Sequence, residues 1–275
     1  MGFQLDCEVV GPKAETVARS VVILHGIFGS RKNWQSFVRR WSEREPDARF
    51  LLVDLRGHGG SRSAPPPHTM AACAEDLESL LKQREWFPEC VVGHSFGGKV
   101  ALQWLQDPAR PPKQLFSLDS PPSPGPAGGG SKSQSEVARL IALARRFVGG
   151  VERRTEVARA FTDAGMKDTV ASWMATNLVA GDDGRFRWHF DVDTLEALLH
   201  DYWATDLRPA AESPVSSTVV HLVRAEQSDR FSAEDLRWLA SLKGERTRVH
   251  LLANAGHWLH VDQPDALVEM LMAAR

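Results

Sequence analysis

Cys90-Val91-Val92-Gly93-His94-Ser95-Phe96-Gly97-Gly98-Lys99 decides how the rest of the chain is read. An apolar, β-favouring run enters Gly93-x-Ser95-x-Gly97, and Val100, Leu102, Trp104 and Leu105 follow at helical spacing. In a strand–turn–helix context, G-x-S-x-G is a nucleophile elbow. The turn is so sharp that the serine backbone is strained, and the flanking glycines leave no side chain to strike the adjoining strand or helix. Ser95 is thereby placed at the carboxyl edge of a sheet with its hydroxyl exposed.

Outward from the elbow, the chain alternates strands and helices. Strand signals fall at residues 3–9, 20–25, 49–53, 113–119, 218–223 and 248–252, several of them continuous apolar runs of the kind buried on both faces. Helical spacing joins Trp34, Phe37, Val38 and Trp41, and again Leu77, Leu80 and Leu81 within residues 70–83. Pro264 opens a closing helix carrying Leu267, Val268 and Leu271. Strands alternating with helices predict an α/β fold built on a mostly parallel twisted sheet with helices on both faces. The rhythm breaks at the Pro/Gly-rich residues 121–131, which cannot be regular structure, and residues 136–208 read as helical without strands. This predicts a core of residues 1–120 and 213–275, with residues 121–212 inserted as a helical cap over the strand ends, where open α/β sheets hold their ligands.

Bulk properties narrow the classes. The 275 residues are 43% hydrophobic and 25% charged with a net charge of −2, ordinary for a globular domain and without the basic character of a nucleic-acid binder. No run is apolar for the 18 or so residues that a membrane span needs. Met1-Gly2-Phe3-Gln4-Leu5-Asp6 lacks the basic and apolar regions of a signal peptide, and Asp6 breaks the myristoylation pattern. Cys7, Cys73 and Cys90 show no C-x-x-C spacing and read as reduced thiols of a cytoplasmic protein. No zinc or P-loop motif is present, so no metal or organic cofactor is expected; the partner is a small molecule, and the chain a monomer or homodimer.

A serine nucleophile needs a base, an orienting acid and an oxyanion hole. His257, in Asn254-Ala255-Gly256-His257-Trp258 after the last strand, fits the order Ser…acid…His. Two aspartates could stand behind it. Asp119 ends the strand after the elbow helix, and Asp229 follows the next strand in Arg224-Ala225-Glu226-Gln227-Ser228-Asp229-Arg230. The oxyanion donors are the backbone N–H of Phe96 and one from Gly26-Ile27-Phe28-Gly29, with Ile27 chosen and Phe28 next to it. His94 and His58 read as structural, the His58 loop bordering the pocket. Candidate pocket walls are Phe28, His94 and Trp258, with Trp173, Phe186, Trp188, Phe190 and Trp203 from the cap.

Taken together, these residues resemble an α/β-hydrolase over nearly the whole chain. His25-Gly26-Ile27-Phe28-Gly29-Ser30, Asp54-Leu55-Arg56-Gly57-His58-Gly59 and the elbow occur in that family's order. Within it the chain resembles the esterase group of bacterial YbfF and the abhydrolase-domain protein 11. Leu118-Asp119-Ser120-Pro121 is similar to the group's D-x-S/A-P after the sixth strand. Trp188-His189-Phe190-Asp191-Val192-Asp193-Thr194-Leu195 is similar to its cap segment W-R-x-N-x-x-x-L, with His189 and Asp191 as departures. Most α/β-hydrolases place the acid after the seventh strand in a G-x-x-D pattern, where this chain has Ser228. The resemblance therefore implies Asp119 as the acid and Ser228 as an extra hydrogen-bond partner for His257. It further implies hydrolysis of an acyl ester or thioester without a cofactor. Cofactor-free perhydrolysis, carbon–carbon cleavage and a receptor-like binding role use the same fold; an intact triad and oxyanion turn speak against binding alone.

Overall fold

The structure, a computed structural model, describes residues 3–13, 17–125, 132–215 and 217–274. The readings placed on Met1-Gly2 and on residues 126–131 of the Pro/Gly run lie outside them. Seven strands form one sheet: β1 (Cys7–Val10), β2 (Arg19–Leu24), β3 (Ala48–Val53), β4 (Cys90–His94), β5 (Gln114–Leu118), β8 (Val219–Ala225) and β9 (Thr247–Leu252). They lie in the order β1-β3-β2-β4-β5-β8-β9, and only β1 is antiparallel to its neighbour.

Alternation along the strands divides the core into two layers. Val22, Leu24, Leu51, Val53 and Val91 face α2 (Met70–Gln83) and α3 (Phe96–Trp104), where Leu77, Leu80, Val100 and Leu102 meet them. Val21, Ile23, Phe50, Leu52 and Val92 face α1 (Gln35–Arg44) and α11 (Pro264–Ala273), through Phe37, Val38, Trp41, Leu267 and Val268. Burial on both faces is why these strands carry uninterrupted apolar runs. α9 (Ala233–Ser241) links β8 to β9, and the short α10 (Leu259–Asp262) precedes α11.

Between β5 and β8 lie α4 (Lys132–Arg145), α5 (Arg154–Asp163), α6 (Asp168–Thr176), α7 (Val192–Ala204) and α8 (Arg208–Glu212). This insertion follows the fifth strand in chain order, not the sixth, because a single strand precedes β2 among the described residues. It is also not wholly helical. β6 (Leu178–Ala180) and β7 (Phe186–Trp188) pair as a small antiparallel hairpin around Gly181 to Gly184, the latter at φ 76°. Three-residue strands give too little alternation to read from sequence. The insertion has its own apolar cluster, including Leu140, Val157, Phe161, Met174, Trp188 and Leu195, and Phe28 of the β2 loop belongs to it.

Several contacts fasten the insertion to the sheet edge. The buried Lys99 Nζ on α3 donates to the carbonyls of Ser123 (2.8 Å) and Tyr202 (2.7 Å). Asp191 N–H donates to Gly57 O at 2.9 Å, and His58 bridges Phe190 backbone to backbone.

Candidate active site

β4 ends one residue before Ser95, whose φ of 52° and ψ of −117° turn the chain abruptly into α3. The Ser95 N–H is held by Leu118 O at 2.8 Å. The steric demand on the glycines is direct. A Cβ on Gly93 would lie 2.2 Å from Gly97 O, and one on Gly97 would lie 2.6 Å from His25 O and 2.7 Å from Leu24 O. All these obstacles are backbone, so neither position accepts a side chain without moving the strand or the helix.

Asp119, one residue beyond β5, is fully buried with a φ of 45°. Its N–H continues the sheet by donating to Val223 O at 2.7 Å, and this aims the carboxylate back across the end of β8. Oδ1 accepts the Ala225 N–H at 3.1 Å. Oδ2 accepts the Ser228 hydroxyl and, at 2.8 Å, His257 Nδ1. The last bond places the His257 proton on Nδ1 and leaves Nε2 free to take one from a hydroxyl. Asp229 acts on His257 only through its charge and makes no hydrogen bond with it among the described residues. Ser228 bonds Asp119 rather than His257, a correction to the expectation that it would contact His257; its loop runs beside Asp119 and brings the hydroxyl there first.

Burial lowers the His257 pKa below the ordinary histidine value, the bond to Asp119 opposes that, and the Arg230 charge adds to the lowering. His94 Nε2 donates to His257 O at 2.7 Å, so the residue beside Ser95 steadies the loop that carries His257. Burial, with His257 and His260 nearby, holds His94 well below the ordinary range and hence neutral.

The loop after β2 passes against the elbow: a Cβ on Gly26 would lie 3.3 Å from Ser95 Cβ. Gly29 N–H closes the Gly26-Ile27-Phe28-Gly29 turn on Gly26 O at 3.0 Å, with Phe28 at φ 61°, where a glycine is usual. His25 is locked beneath it. Its Nδ1 donates to Gly26 O (2.8 Å) and its Nε2 accepts the Leu55 N–H (3.0 Å), while burial lowers its pKa to about 3. Phe96 opens α3, and a first-turn N–H has no helical carbonyl to satisfy it. Five described non-glycine residues have positive φ, and Phe28, Ser95 and Asp119 are three of them. Such strain gathers where a surrounding framework over-determines a site.

Ser95 and His257 line one cavity of about 320 Å³. Ile27, Phe28, His94 and Trp258 line it too, and the insertion contributes Val137, Leu140, Val170 and Trp173. Trp188 does not reach it, and neither do Phe186, Phe190 or Trp203. The Trp188 ring is buried in the insertion's own core, stacked on Phe190 with its Nε1 bonded to Ala144 O at 2.9 Å. The His58 loop is likewise absent from the walls, because the insertion covers it at Gly57 and Phe190. Asn33, Trp34, Arg230 and His260 line the cavity without having been read as site residues from the sequence.

Cys7, Cys73 and Cys90 are free thiols, and no helix among the described residues is long and apolar enough to cross a membrane.

Comparison with known proteins agrees with this architecture. The family model described as "Alpha/beta hydrolase family" matches residues 21–270. The mouse sn-1-specific diacylglycerol lipase ABHD11 is 28% identical over 257 residues, covering 91% of this chain and 78% of its own. Esterase YbfF of Escherichia coli is 23% identical over 251 residues, 91% of each. Among solved structures, a marine microorganism esterase superposes over the full length of both chains with a TM-score of 0.80 at 22% identity.

Proposed function

The chain belongs to the alpha/beta hydrolase family, and on that premise we propose that it is a serine hydrolase of small to medium acyl esters or thioesters, working through Ser95, His257 and Asp119. The observation that carries this reading is the 2.8 Å bond from His257 Nδ1 to the buried Asp119, with Ser95 and His257 opening on one cavity. Its relatives' names, a diacylglycerol lipase and an esterase, point to the same class of bond.

In the proposed cycle, Ser95 Oγ attacks the acyl carbonyl as His257 Nε2 takes its proton. The oxyanion forms against the N–H groups of Phe96 and Ile27; one such donor is worth roughly 3 kcal/mol to the transition state. The carbon–oxygen or carbon–sulfur bond to the leaving group breaks, and His257 returns the proton to the departing alkoxide or thiolate. Water, deprotonated by the same histidine, then attacks the acyl-Ser95 ester and frees the acid. Asp119 holds the tautomer and stabilises the imidazolium without itself gaining the proton. The lowered His257 pKa keeps the base neutral at pH 7, as the first step requires.

The apolar side of the cavity, formed by Phe28, Leu140, Val170 and Trp173, is suited to the acyl chain. The test is hydrolysis of short 4-nitrophenyl esters by the purified chain and by Ser95→Ala. Turnover lost in the variant supports the reading; no turnover by the parent, or equal turnover by both, overturns it.

A further inference from the structure

A cationic side chain that the cycle above leaves idle faces the active-site cavity. Arg230 lines it together with Ser95 and His257, and its charge acts on both His257 and His94, which fixes it close to the reacting centre. The backbone of Arg230 is tied down, its N–H donating to Ser228 Oγ at 3.3 Å. Its side chain is not. Arg230 Nε is shut off from solvent and has no hydrogen-bond partner among the described residues. Arg49 Nε is in the same position, but that guanidinium lies 4.8 Å over the Trp86 ring, and Arg230 has no such ring among the described residues. Glu136 faces the same cavity without forming an ion pair with Arg230, and residues 126–135 contain no carboxylate.

A guanidinium that meets no acceptor among the described residues is poorly matched to a half-enclosed site, since a desolvated donor without an acceptor loses its hydration for nothing. Its two Nη groups are neither closed off nor hydrogen-bonded among the described residues, and together they form the planar end of the guanidinium that matches the two oxygens of a carboxylate. We propose that Arg230 is a specificity-determining residue: it binds a free carboxylate carried by the substrate, so that the preferred substrates are monoesters or monothioesters of small molecules bearing a second, unesterified carboxyl group. This rests on the hydrolase reading of the same site. The anion has to sit inside a cavity of about 320 Å³ with the scissile carbonyl, which favours a compact acid over the distant phosphates of a large thiol carrier. Glu136 on the wall favours a singly charged group over a dianion.

Two matched pairs test the proposal. Mono-4-nitrophenyl glutarate against its methyl ester puts the charge on the acyl side; 4-butyryloxybenzoate against its methyl ester puts it on the leaving side. Each kcat/KM is divided by the ester's alkaline hydrolysis rate. The parent is expected to favour the charged member of at least one pair by tenfold or more. Arg230→Gln should bring that ratio close to one, and Arg230→Lys should keep an intermediate ratio. A parent ratio near one in both pairs overturns the proposal. So does a fall of charged and neutral esters alike in Arg230→Gln, which would mean that Arg230 only tunes His257. Turnover of none of the four esters, with Ser95 unlabelled by a fluorophosphonate, would instead remove the hydrolase reading and this inference with it.

Discussion

Replacing Asp119 with asparagine keeps the shape of the side chain and removes one acceptor, so its effect can be worked from the hydrogen bonds. The carboxylate accepts three donors: Ala225 N–H on Oδ1, and Ser228 Oγ–H and His257 Nδ1–H on Oδ2. An asparagine has one acceptor oxygen and must turn its NH₂ toward one side. The Ala225 donor is backbone and cannot rotate, whereas the Ser228 hydroxyl can turn and His257 can change tautomer. The amide oxygen therefore stays on Ala225, and the NH₂ faces His257. The imidazole answers by accepting at Nδ1 and carrying its proton on Nε2, where it can no longer take one from Ser95. Loss of the correct tautomer costs about 10³–10⁴ in kcat, roughly 4–5.5 kcal/mol. Steady-state hydrolysis of 4-nitrophenyl butyrate reads the effect, and a thermal melt confirms that the variant is folded. Asp229→Asn, which touches His257 only through charge, should stay within about threefold of the parent. A folded Asp119→Asn within tenfold of the parent, or an Asp229→Asn that collapses instead, would refute the assignment.

Three further outcomes follow from the same geometry. Ser228→Ala removes a hydrogen bond to a charged acceptor but leaves His257 in place, so kcat/KM should fall about tenfold with the pH profile's shape retained; an unchanged rate would separate Ser228 from the acid. Gly97→Ala drives a Cβ to 2.6 Å from His25 O and 2.7 Å from Leu24 O, and the displaced backbone should cost about 1–3 kcal/mol, read as a Tm lowered by several degrees. The base must be neutral to act, and burial disfavours its charged form, so kcat/KM should fall with acid only below about pH 6.5 and stay level from there to pH 8; an acid limb centred above pH 7 would contradict that environment.

What the sequence revealed, and what it concealed, follows from how local each constraint is. Gly93 and Gly97 are legible because the elbow brings backbone to within a Cβ radius over five residues. His257 is legible because chain order and the Asn254-Ala255-Gly256 turn place it past the last strand. The choice between Asp119 and Asp229 is not local. β5 and β8 are parallel neighbours, with Leu118 opposite Val223, so both strands deliver their following residues to the same edge. Only the positive φ of Asp119 and the course of the 226–230 loop decide which carboxylate meets His257. The aromatics of the insertion were ambiguous for another reason. Trp188 and Trp173 look alike in sequence, yet the β6–β7 hairpin turns Trp188 into the insertion's own core while Trp173 remains on the cavity wall. Arg230 carried no motif at all; it stands out only through an unanswered donor, which is a property of the folded cavity.

The central claim is that Ser95 forms a covalent acyl intermediate under the action of His257. The most direct measurement is an acid-quenched reaction with 4-nitrophenyl butyrate followed by intact and peptide mass analysis. A butyryl adduct, no more than one per chain, is expected on the peptide containing Ser95, and none in Ser95→Ala or His257→Ala. Turnover with the adduct on another residue, or an adduct that survives in Ser95→Ala, would contradict it.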